Sequence, residues 1–149
     1  MREKITDALK TALKSGDRER SGTLRLVNAA IQDRDIANRG AGKGAASDDE
    51  VMQILAKMVK QREESARAFD DGKRPELAAK ERSEIEIIRG FLPEQMDDAG
   101  MQQAIRDIIA ETGAAGVKDM GRVMAALREK YVGQMDFGKA SGLVKSLLQ

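Results

Sequence analysis

Ser47-Asp48-Asp49-Glu50-Val51-Met52-Gln53-Ile54-Leu55-Ala56-Lys57-Met58-Val59 is the stretch whose reading decides the fold. Ser47 and Glu50 stand three residues apart, the spacing of a capping box. In that motif each side chain satisfies a backbone N–H that the first helical turn leaves unpaired. The apolar residues that follow, Val51, Ile54, Leu55, Met58 and Val59, recur with the period of a helix and lie on one face of it. No alternating strand pattern competes, so the segment predicts an amphipathic helix running to Phe69.

The same spacing continues in both directions. Upstream, Ile5, Ala8, Leu9, Ala12 and Leu13 predict a first helix that Ser15-Gly16 ends. Asp17 then caps a second helix with the stripe Leu24, Val27 and Ile31, and Gly40, Gly42 and Gly44 predict a flexible break after it. Downstream, Gly72-Lys73-Arg74-Pro75 reads as a turn with Pro75 in the first helical position, followed by a stripe of Leu77, Ile85, Ile88 and Leu92. Pro93 stops that helix and marks a domain boundary. Three shorter helices follow, carrying Met101 to Ile109, Met120 to Leu127 and Ala140 to Leu148. The expected fold is all-α, with a four-helix N-terminal domain over 1–93 and a three-helix C-terminal module over 94–149.

Composition removes several function classes. Among 149 residues there is no Cys and no His, which excludes thiolate metal sites, cysteine nucleophiles and Ser–His triads. Neither a catalytic constellation, a metal site nor a cofactor is expected. No apolar run reaches the roughly 20 residues needed to span a bilayer. Glu3 and Asp7 in the first helix suit neither a signal nor a transit peptide, so the expected location is the cytoplasm. Net charge is +1, yet residues 1–45 hold ten Lys/Arg against six Asp/Glu. Any nucleic-acid contact must therefore use a local patch.

Several blocks carry a resemblance. Thr23-Leu24-Arg25-Leu26 leads into Ala29-Ala30-Ile31, and Phe91-Leu92-Pro93-Glu94-Gln95-Met96 closes the first part. After Gly113 come Val117-Lys118-Asp119-Met120-Gly121-Arg122-Val123-Met124, then Gly138-Lys139 and Val144-Lys145. Together they resemble the GatB/YqeY family over essentially the whole chain. The resemblance implies two all-α domains, similar to the helical tail of the B subunit of glutamine-dependent aminoacyl-tRNA amidotransferase. That tail helps hold tRNA while a separate domain does the chemistry. It therefore implies a tRNA-associated binding module, with tRNA and a protein of the tRNA-charging or amidotransferase machinery as partners.

Lys118, Arg122, Lys139 and Lys145 are the candidate tRNA contacts, and Gly121, Gly138 and Gly142 the candidate close-approach glycines. With Gly116 and Asp136 as N-caps, Lys118 and Lys139 fall at helix starts, where free N–H groups and the helix dipole favour an anion. The other reading makes both lysines solvated helix-start residues. Gly121 and Gly142 are expected inside helices, where glycine costs about 0.5–1 kcal/mol relative to alanine. A packed neighbouring helix or an RNA backbone would explain that cost.

Other features read as structure. Gly133-Gln134-Met135-Asp136-Phe137-Gly138-Lys139-Ala140 nearly spells a phosphate-binding loop but lacks the Ser or Thr after Lys139 and the preceding strand. Arg18, Arg25, Gln32 and Arg39 form a polar edge of the second helix. Glu63–Arg67, Lys60–Glu64, Lys80–Glu84 and Arg82–Glu86 are spaced as i,i+4 helix pairs.

Two further functions remain open. One is carbon–nitrogen ligase activity with glutamine as amide donor. It needs a nucleophile that this chain does not offer alone, so it would require a complex. The other is a protein-binding adaptor using the basic second helix or the methionine-rich half, which holds Met101, Met120, Met124 and Met135.

Overall fold

The computed structural model describes all 149 residues, and every regular element in it is helical. Seven α-helices occur in order: α1 (Arg2–Ser15), α2 (Arg18–Gly40), α3 (Asp48–Asp71), α4 (Pro75–Arg89), α5 (Asp98–Thr112), α6 (Met120–Lys130) and α7 (Phe137–Leu148). A single 3-10 turn, Val117–Asp119, precedes α6. None of the helices is long and apolar enough to cross a membrane.

Local chemistry sets most boundaries. Gly16 takes φ 75°, a left-handed conformation that ends α1 at little cost for glycine. The Asp17 carboxylate accepts from Arg20 N–H at 3.0 Å and starts α2. Ser47 and Glu50 form the expected capping box, and Pro75 opens α4. Gly113, at φ 67°, closes α5.

The chain falls into two compact units, Met1–Leu92 and Pro93–Gln149. In the first, Ile5, Leu24, Val27, Ile31, Val51, Leu55, Ile85 and Ile88 are buried together, joining all four helices. In the second, Ile105, Ile108, Val123, Leu127, Ala140 and Val144 form a separate core. Met101, Met124 and Met135 are buried in that core and Met120 packs against it, so these thioethers fill space rather than line a groove.

Two expectations for the first unit need correction. The glycine-rich break after α2 is tied at both ends. Gly40 belongs to α2, Lys43 N–H donates to Asn38 carbonyl at 2.7 Å, and Ala46 N–H donates to Asp35 Oδ1 at 2.7 Å. Three residues of the expected local pairs, Glu63, Glu84 and Arg82, find partners across the two helices instead, while Arg89 also meets Glu86 within α4 at 3.7 Å. Glu63 pairs with Arg89, Asp70 with Arg82, and Glu84 with Arg62 at 2.9 Å. The two helices pack as an antiparallel hairpin, and side chains facing across its seam meet charges that the local i,i+4 rule does not consider.

Asp35 is the electrostatic centre of this unit. Its carboxylate receives both guanidinium N–H groups of Arg2, at 2.8 and 2.7 Å, as well as the Ala46 N–H. One buried side chain thus ties α1, α2 and the approach to α3. The Arg2 hydrogen bonds, then the Ala46 N–H, hold its carboxyl far below the usual carboxylate range. A depressed acid stabilises the fold fully above its unfolded pKa, about 3.9. That contribution drains as pH falls toward the native value. Asp35→Asn is therefore expected to lower stability at neutral pH and to flatten the acid limb of a Tm-against-pH curve below about pH 4. An acid limb identical to that of the parent protein would contradict this assignment.

Candidate functional site

All seven candidate residues lie in the unit Pro93–Gln149, and all seven are exposed. Lys118 sits in the 3-10 turn, Gly121 and Arg122 in the first turn of α6, Gly138 and Lys139 in the first turn of α7, and Gly142 and Lys145 further along α7. Gly116, extended at φ −165° and with no side-chain cap bond, precedes the turn inserted before α6.

A carboxylate of the chain stands at each helix start, but only the one at α7 caps its helix. At α7, Asp136 Oδ1 accepts from Gly138 N–H at 2.9 Å and from Lys139 N–H at 3.4 Å. Before α6, Asp119 Oδ2 accepts from Ala115 N–H at 2.9 Å, and Asp119 Oδ1 meets Arg122 at 3.3 Å. The Ala115 N–H, then the Arg122 charge, hold the Asp119 carboxyl below its ordinary value. The backbone donors expected to be free for an anion at α7 are therefore already engaged. Aspartate before a helix is both a good cap and a built-in competitor for phosphate. Asp136 caps α7 as the sequence predicts, whereas α6 starts from Asp119 and not from Gly116, which precedes the 3-10 turn.

The cationic side chains remain outward. Lys139 Nζ lies 3.5 Å from Asp98 Oδ1, but both partners are largely in water, so the pair is weak and readily exchanged. The ammonium groups of Lys118 and Lys145 form no ion pair or hydrogen bond. Beside them in the sequence, Val117 and Leu147 are exposed apolar residues.

The glycines give a sharper result. A Cβ placed on Gly121 or Gly142 would meet no atom of the chain within 4 Å. A packed neighbouring helix is thus not the reason for glycine at either position, because both open onto solvent.

The leading segment of this unit is also anchored. Gln95 Nε2 donates to Gly133 carbonyl, and Met96 N–H donates to Gln134 carbonyl at 2.9 Å. Gly133 is buried at φ 75°, which the near phosphate-loop spelling required of no particular residue. The loop is a structural corner between α6 and α7. No group of three or more acidic side chains is placed to hold a metal ion.

Comparison with known proteins gives consistent matches. An uncharacterized protein of Schizosaccharomyces pombe is 32% identical over 94 residues, which cover 63% of this chain and 70% of that protein. The protein named Altered inheritance of mitochondria protein 41, mitochondrial, from Clavispora lusitaniae is 36% identical over 84 residues, 56% of this chain and 46% of the relative. Its namesake from Pyrenophora tritici-repentis is 25% identical over 130 residues, 83% of this chain and 69% of the relative. The match thus spans about half the length of the Clavispora protein.

These relatives overturn the expected cytoplasmic location, since the named ones are mitochondrial proteins. The expectation rested on acidic residues near the start and on the lack of a long apolar run, and neither feature specifies a compartment. A family model described as Yqey-like protein matches residues 2–148 and takes in both helical units; the chain belongs to the YqeY-like family.

Proposed function

We propose that the chain is a tRNA-associated binding module, not catalytic by itself, whose C-terminal unit contacts the RNA backbone through Lys118, Arg122, Lys139 and Lys145. The observation that carries this reading is the openness of Gly121 and Gly142. Two helical positions lack a side chain, face solvent, and stand among outward cations. A phosphodiester backbone can approach a helix closely at such points, and cations neutralise its charge. Recognition is by shape and backbone, because the chain has only three Phe and one Tyr to offer for base stacking.

The test is a titration of the full chain with bulk tRNA at low salt. Lys118→Glu/Lys139→Glu is expected to weaken binding roughly tenfold or more and to flatten the salt dependence. The glycines supply a second arm. Gly142→Ala is expected to raise stability by about 0.5–1 kcal/mol. Gly142→Leu, which places a bulky side chain on this open face, is expected to weaken tRNA binding while the fold persists. Equal binding by all four proteins, or none by the parent, would sink the reading.

A further inference from the structure

Helix α2 has two apolar stripes, and the core uses only one. Leu24, Val27 and Ile31 are buried, whereas Gly22, Leu26, Ala29, Asp33, Ile36 and Gly40 are exposed on the opposite side. Their spacing alternates between four and three residues, the a/d repeat of a helix-pairing seam. At 100° per residue all six fall within about 40° of one line along the helix. Leu26 is 51% exposed and Ile36 64%, and the small residues between and beyond them allow a second helix to come close. The seam is about 27 Å long at 1.5 Å per residue, which suffices for more than two heptads.

Charge decides what fits it. Arg18, Arg25, Gln32 and Arg39 line one flank of the seam, all exposed. The guanidinium groups of Arg18 and Arg25 have no hydrogen-bond or ion-pair partner. On the other flank Thr23 is buried, Ala30 is partly buried against the core and Ala37 is exposed, and none of them carries a charge. A second copy is a poor occupant. Antiparallel pairing with Leu26 against Ile36 brings Arg25 toward Arg39 of the other copy, and parallel pairing offers the arginines only Thr and Ala. Like charges at these flanking positions oppose pairing, and opposite charges select the partner.

We propose that this face of α2 docks an amphipathic helix of another protein, one with acidic residues along the flank that meets Arg18, Arg25 and Arg39. Asp33 interrupts the apolar seam at its middle, so the docked helix carries a cationic or amide side chain opposite it. That polar contact fixes register, as buried polar residues do in paired helices. The inference concerns the N-terminal unit and stands apart from the tRNA reading.

The test uses the full chain and a fluorescein-labelled synthetic helix of three heptads, with Leu in its seam, Lys opposite Asp33 and Glu at its flanks. Fluorescence anisotropy is expected to show saturable binding. Leu26→Ser/Ile36→Ser and Arg18→Glu/Arg25→Glu are each expected to weaken it roughly tenfold or more, with unchanged helical circular dichroism. A companion peptide with Lys at the flanks is expected to bind at least tenfold more weakly. The proposal is overturned by absence of saturable binding or by equal affinity for the two peptides. It is likewise overturned by self-association in sedimentation that Ile36→Ser abolishes, or by binding to phosphatidylglycerol vesicles that persists when the peptide does not bind. Lys118→Glu/Lys139→Glu leaves saturable peptide binding in place, and the charge-neutral Leu26→Ser/Ile36→Ser leaves the tRNA titration intact, so the two readings fail separately.

Discussion

Replacing Leu55 by alanine is expected to destabilise residues 1–92 by about 3 kcal/mol, within the range for removing a buried leucine side chain. Leu55 has no solvent exposure and belongs to the core that joins α1, α2, α3 and α4. The loss combines transfer of the deleted atoms with the cavity they leave. For a unit of this size the melting transition should fall by roughly 15 °C. Leu55→Met, which nearly conserves volume, should cost less than about 1.5 kcal/mol. We propose further that the units Met1–Leu92 and Pro93–Gln149 are separately folding domains. Amide exchange at Ile105, Ile108 and Val123 in Leu55→Ala should then match the parent protein. Loss of protection in both units together would show one cooperative structure instead.

The second large effect is expected at Arg62. Its Nε donates to Glu84 Oε2 at 2.9 Å, and the two side chains are only 13% and 14% exposed. Arg62→Ala leaves the Glu84 carboxylate largely out of water without its partner, at a cost of about 2–3 kcal/mol given partial access to solvent. Removing both charges should behave differently. Arg62→Met/Glu84→Leu fills the same space with apolar atoms and should regain most of the loss, because the desolvation penalty disappears along with the attraction. The exposed Asp70–Arg82 pair on the same hairpin should matter far less when Arg82 is truncated. Urea denaturation of the three variants distinguishes the cases. A double variant no more stable than Arg62→Ala would contradict the argument.

The helices were legible because their signals are local. Ser47 and Glu50 are three residues apart, Pro75 opens a helix, and Gly113 closes one, so each boundary depends on neighbours in the chain. Partners across helices were not legible. Glu63 satisfies a local pairing rule with Arg67, yet meets Arg89, 26 residues away, because hairpin packing brings them together. Asp35 could have been noticed, since it sits one turn beyond Ile31 on the apolar stripe of α2. A charge in that position needs a partner, but nothing local names Arg2. The outer seam of α2 escaped notice because two apolar stripes on one helix blur its single-face periodicity. At the candidate site the α7 cap could be read from Asp136, but the 3-10 turn that moves the start of α6 from Gly116 to Asp119 could not. It reflects how Ala115 and Asp119 close on each other through space.

The anchoring of Gln95 and Met96 bears on how force enters the C-terminal unit. A pull on the chain at Pro93 meets the bonds from Gln95 and Met96 to Gly133 and Gln134 before it reaches the first turn of α5. Tension arriving from upstream is thus shared with the corner that ends at Asp136, next to the capped start of α7.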